Sequence, residues 1–63
     1  MHNVVCIYSV KGSKIVCKFY EDGEWLGTET CVFDASKDLL EQVQREAERT
    51  YGDGSNITYY AAK

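Results

Sequence analysis

The stretch FYEDGEWLGTET, residues 19–30, holds four carboxylates, a lone tryptophan and no basic side chain. Its reading decides how a third strand lies on a sheet. The centre, Tyr20-Glu21-Asp22-Gly23-Glu24, is turn chemistry: an acidic pair ahead of a glycine, bracketed by residues with strand preference. Two loops fit it. A three-residue loop, a type I turn with Gly23 left-handed as a bulge, pairs Phe19 with Trp25 and puts both on one face. A two-residue Asp22-Gly23 loop pairs Tyr20 with Trp25 and sends the indole to the other face, because strand side chains alternate with a period of two. Turn chemistry favours the three-residue loop, which predicts Trp25 in the core and a third strand running to about Phe33.

Upstream lie NVVCIYSV (3–10) and KIVCKFY (14–20), both rich in β-branched and aromatic residues. Gly12-Ser13 between them suits a two-residue hairpin loop with glycine at a positive φ. That loop pairs Val10 with Ile15, Tyr8 with Cys17 and Cys6 with Phe19. One face is then Val4, Cys6, Tyr8, Val10, Ile15, Cys17 and Phe19, almost wholly apolar. The other carries Val5, Ile7, Ser9, Val16, Lys18 and Tyr20, and is far from fully polar.

Downstream the hydrophobic period changes to that of a helix. From Ser36 to Tyr51, the residues Leu39, Leu40, Val43, Ala47 and Tyr51 share one side. Ser36 is the expected N-cap, with Asp38 in the first turn, Arg45 and Arg49 late, and Gly52 as the stop. ITYYAA (57–62) reads as a short final strand. The predicted fold class is α+β in a single domain, 1–63: a three-stranded antiparallel meander, one helix packed on one face, and a fourth strand, in the order β-β-β-α-β. The helix must run back along the sheet, so the last strand is expected parallel to the first.

A chain of 63 residues buries only ~60% of its unfolded surface, so its stability is marginal. No apolar run approaches the ~18 residues of a membrane span, and MHNVVCIYSV lacks the basic start of a secretory signal. Cys6, Cys17 and Cys31 are an odd number, which predicts reduced thiols and a cytoplasmic location. Together with His2 they form a nominal metal set, but no local ligand pair of the zinc type is present, and core packing is the expected role. The only histidine has no positioned partner in the sequence, and the carboxylates of the hairpin tip sit where nothing raises a pKa. GDGSN (52–56) follows the helix instead of leading into one, which argues against a phosphate cradle. Neither an enzyme nor a cofactor is expected.

The net charge is −3, unevenly spread. Up to residue 18 the only charges are Lys11, Lys14 and Lys18; from Glu21 to Asp34 there are five acids and no base. One helix covers one face of a sheet. The uncovered face is expected to hold Val5, Ile7, Val16, Tyr20 and some of Leu26, Val32, Ile57 and Tyr59, more apolar surface than a monomer usually leaves in water. Expected partner-binding residues are therefore Glu21, Asp22, Glu24, Glu29 and Asp34 together with Tyr20, Val5, Ile7 and Val16.

The strand order and the helix entry FDASKDLLEQVQREAERTYG (33–52) resemble small phage-encoded host-takeover proteins, such as the T7-type inhibitor of bacterial RNA polymerase. The shared features, over roughly residues 14–60, are an aromatic-ending strand, a Ser/Thr cap, an acid-rich amphipathic helix and a tyrosine near its end. The strand order is also similar in part to antitoxin subunits of the HicB type. The resemblance implies a protein-binding inhibitor acting in a host cytoplasm, its acids meeting a basic surface on a host protein such as a nucleic-acid-handling enzyme. The strand–Asp-Gly–strand–helix segment resembles the arm-binding domains of phage-type integrases, which carry Arg and Lys on the exposed sheet face; here that face offers Lys18 beside acids of strand three. Two alternatives stand: a small nucleic-acid-binding module using Lys11, Lys14 and Lys18, and a homo-oligomer formed through the open face, a homodimer being its simplest form.

Overall fold

In the computed structural model, which describes residues 2–62, the elements are β1 (His2–Lys11), β2 (Lys14–Glu21), β3 (Glu24–Val32), α1 (Leu39–Tyr51) and β4 (Ser55–Ala61). They form one four-stranded sheet in the order β3-β2-β1-β4. The first three strands are an antiparallel meander and β4 runs parallel to β1, as the chain order requires. Helix α1 packs across β1, β2 and β4 on one face only. Among the described residues no helix is long and apolar enough to cross a membrane.

The first hairpin has the register its sequence demands. Gly12 takes φ 62° and Lys11 faces Lys14, so Cys6 lies opposite Phe19 and Tyr8 opposite Cys17. Val4, Cys6, Ile15, Cys17 and Phe19 are buried beneath Val43 and Ala47 of α1, with Tyr8, Cys31, Phe33, Leu39, Tyr51, Ile57 and Tyr59 packed around them.

The second hairpin takes the loop that turn chemistry disfavoured. Asp22 and Gly23 both have positive φ, 53° and 79°, which makes a two-residue type I′ turn whose twist matches that of the strands. Glu21 therefore faces Glu24, and Tyr20 faces Trp25. One step further Phe19 faces Gly27, so Trp25 and Leu26 together oppose Tyr20 as a bulge. The bulge returns Glu29 and Cys31 to the helix side while leaving the indole on the other. The expectation of a core tryptophan is thus overturned: Trp25 is 60% exposed. The reason lies on the helix. Tyr51 packs on Phe19 with tilted rings whose centroids lie 4.6 Å apart, and a Cβ added to Gly27 would already stand 3.5 Å from its hydroxyl. Tyr51 fills the space that a core indole would need.

The helix begins later than expected. Asp38, not Ser36, is the N-cap, its Oδ2 accepting from the Glu41 amide at 3.0 Å. Ser36 instead donates to Asp34 Oδ1 through both its amide (3.0 Å) and its hydroxyl (2.6 Å). Gln42 closes the loop between β3 and α1: its Oε1 accepts from the Asp34 amide and its Nε2 donates to the Asp34 carbonyl, both at 2.9 Å. With the start at Leu39, the buried stripe runs through Leu39, Val43, Glu46, Ala47 and Tyr51, and Leu40 falls at its exposed margin. Buried Glu46 is tolerable because the Arg49 guanidinium, one turn on, donates to its carboxylate.

Candidate functional site

The sheet face away from α1 has no covering element among the described residues, and its side chains follow directly from the registers. Four rows cross it. Thr58, Val5, Tyr20 and Trp25 make one; Tyr60, Ile7, Lys18 and Thr28 the next; Ser9, Val16 and Thr30 the third; Lys11, Lys14 and Val32 the last. Strand side chains alternate, so every residue in these rows points away from the helix.

The composition of this face differs from the expectation in two ways. First, Lys11 and Lys14 join Lys18 on it, where only Lys18 was expected. Second, no carboxylate stands on it. The strands carry Glu21, Glu24 and Glu29, whose cross-strand partners include Val4 for Glu21, Glu21 for Glu24 and Cys17 for Glu29, all on the helix side. The expected strip of acids beside the open face is therefore split away from it. Glu21 accepts from His2 Nδ1 across 2.8 Å at the end of β1. Asp22 sits at the hairpin tip. Asp34 lies in the loop before α1, where the hydrogen bonds from Ser36, and then Lys37, hold its carboxyl below its ordinary pKa.

The apolar members expected on the open face divide likewise. Val5, Ile7, Val16 and Tyr20 are there, each half-buried because neighbours on the flat sheet shield one another. Val32 is there and 76% exposed, and Leu26 forms the bulge at the opposite end of β3, beside Trp25. Ile57 and Tyr59 are not; parallel pairing with Val4 and Cys6 turns both toward the helix, and burial pushes the Tyr59 phenol up. Their place is taken by Tyr60, 56% exposed, opposite Ile7. Two aromatic residues of the face, Trp25 and Tyr60, thus escape the sequence reading, and so do Lys11 and Lys14, although for the lysines the signal was present. Gly12-Ser13 already fixes Lys11 two residues beyond Ser9 and Lys14 two before Val16, and the alternation puts all of them with Lys18.

Within the face, Ile7, Ser9, Lys11, Val16, Lys18, Tyr20 and Ala62 line a shallow concavity of about 310 Å³. It is bounded on one side by the residue after β4, where the Ala62 amide donates to the Tyr8 carbonyl at 2.7 Å. The other chemical groups lie elsewhere. Cys6 and Cys17 are neighbouring buried thiols under the helix; the hydrogen bond to Cys6 and burial push Cys17 up. Burial and Glu46 do the same to half-exposed Cys31. Among the described residues no three His, Cys, Asp or Glu side chains are grouped so as to hold a metal ion. The arrangement offers an open array of lysine ammonium groups, aromatic rings and hydroxyls, suited to holding an extended ligand. Comparison with known proteins returns no matching family model, no matching characterised protein and no matching solved structure.

Proposed function

We propose that this chain is a non-enzymatic binding module that recognises a macromolecular partner through the open face of its sheet. The observation that carries the reading is Trp25. The chain's one tryptophan stands 60% exposed beside Tyr20, on a face that no other described element covers. Large exposed aromatic residues are unfavourable in water and are enriched where a partner buries them. The half-buried floor of Val5, Ile7 and Val16 supplies a rigid, pre-ordered base for such contact, which limits the entropy lost on binding.

A second reading rests on the segregation of charge. None of the ten acids holds an open-face position on a strand, and Glu41 and Glu48 are exposed on the helix. That side could meet a basic surface on a protein partner, as an inhibitor of a nucleic-acid-handling enzyme would.

One experiment separates the two. The tethered protein is used to capture partners from cell lysate, alongside a Trp25→Ser/Tyr60→Ser variant and a Glu41→Lys/Glu48→Lys variant, each checked for fold by circular dichroism. The open-face reading expects capture to vanish in the first variant and survive in the second. Capture that ignores the first and fails in the second assigns recognition to the acidic side and removes the open face.

A further inference from the structure

We infer that the ligand of the open face is single-stranded nucleic acid; the inference rests on that face being the recognition surface. Three features of the face meet the chemistry of such a chain. Lys11 and Lys14 at one end and Lys18 at the centre supply cationic partners for phosphates. Tyr20, Trp25 and Tyr60 supply ring faces for bases, and stacking of this kind is tolerant of sequence because every base has a π-face. Thr28 and Thr58 place hydroxyls in the same two rows as the aromatic rings. From Lys14 to Tyr20 along β2 is six residues, or roughly 20 Å at ~3.3 Å per residue, so lysines and rings are spread along a strand-length track.

Charge decides between this ligand and the other occupants. A second copy of the chain would lay three lysines against three lysines with no carboxylate in the interface, since a two-fold contact matches the same patch to itself. A protein partner would have to desolvate Lys18, which sits between Ile7 and Thr28 in the middle of the face, where interface cores are depleted of lysine. A polyanion pairs each ammonium as it covers it. The acids of the helix side do not cancel this attraction. Those on the strands, Glu21, Glu24 and Glu29, point to the opposite side of the sheet, and among the described residues none of the acids forms an ion pair with Lys11, Lys14 or Lys18.

Duplex is disfavoured by shape. The major groove is ~12 Å wide and admits a helix or a two-stranded ribbon. Four strands at ~4.8 Å spacing put the outer two about 14 Å apart before side chains are added. In a duplex, moreover, the bases are stacked on each other and withheld from Trp25.

The test uses the full chain with oligothymidylate and oligouridylate of about 12 nucleotides, within the ~4–16 known for single-strand sites, and a mixed duplex of similar length. Trp25, the single indole, reports stacking by fluorescence quenching. Binding at micromolar protein in about 50 mM salt is expected for the single strands, with the duplex weaker; the DNA and RNA arms show whether the 2′-hydroxyl matters. Three lysines at ~0.7 counterions each give a log–log salt slope near −2, so affinity should fall roughly 20-fold between 50 and 200 mM salt. Lys18→Gln should make the slope shallower by about 0.7, and Tyr60→Ala should weaken binding roughly 5-fold or more, whereas Glu48→Gln on the helix should leave both unchanged. Absence of quenching and of any retained oligonucleotide at low salt overturns the inference, as does equal or tighter duplex binding. If, in that case, a protein is still captured through Trp25 and Tyr60, or the chain itself dimerises through them in sedimentation, the recognition surface stands and only its ligand changes. If nothing is captured through the face at all, both readings fall.

Discussion

The type I′ turn at Asp22-Gly23 puts a non-glycine residue at φ 53°, and its contribution can be isolated by comparing Asp22→Gly with Asp22→Ala. Both variants remove the same carboxylate from between Glu21 and Glu24, so charge cancels in the difference. What remains is the backbone. Holding alanine in the left-handed region costs roughly 1–2 kcal/mol, while its stiffer unfolded chain returns about 0.4–1 kcal/mol relative to glycine. The glycine variant should therefore be more stable by roughly 0.5–1 kcal/mol. For 63 residues at about 2.1 cal/mol/K each, the unfolding entropy near the midpoint is about 130 cal/mol/K, which converts that gap to about 4–8 °C in Tm. Thermal unfolding followed by far-ultraviolet circular dichroism measures it, with urea titration as a check at 25 °C. In the alternative three-residue loop, position 22 has negative φ and alanine is the favoured residue. An alanine variant as stable as the glycine variant, or more so, would refute the type I′ assignment and with it the outward placement of Trp25.

Two further perturbations probe the helix side. The depressed pKa of Asp34 means that its link to Ser36 stabilises the fold fully above the ordinary carboxyl pKa of ~3.9, and that this contribution is lost as pH falls through the lower folded value. Tm of wild type and Asp34→Asn, measured from neutral to acid pH, should accordingly differ at neutral pH and converge in acid; a gap constant with pH would show that ionisation plays no part. Arg49→Ala strands the buried Glu46 carboxylate, whereas Arg45→Ala removes only an exposed pair with Glu41, so the first should lower the urea midpoint clearly more than the second. Equal effects would mean that Glu46 finds another partner.

Most of the architecture was legible in local pattern. Alternation set the first hairpin residue by residue because Gly12-Ser13 admits a short loop of one kind, and the helical period from Leu39 onward could not be mistaken for a strand. The exposure of Trp25 was not legible. Two loop lengths fit Glu21-Asp22-Gly23-Glu24, and the choice between them depends on Tyr51, 26 positions beyond Trp25 in the chain and packed on Phe19. The face of Tyr60 was hidden for a similar reason: a parallel strand has no turn to fix its register, and only the pairing of Cys6 with Tyr59 settles it. Helix capping turned on a competition between two neighbouring polar residues, Ser36 and Asp38. Asp34 drew Ser36 into its own turn and left the cap to Asp38.

The pairing of β4 with β1 has a consequence for how the chain acquires its structure. The two hairpins join residues close in sequence, but His2 must wait for Ser55 and Tyr8 for Ala61. Contacts of such long separation form slowly, since the loop must close before they return any stabilisation. During synthesis β1 therefore carries a bare hydrogen-bonding edge until the last strand arrives, and a chain halted near Gly52 would have the meander and helix sequences but an open template for strand addition.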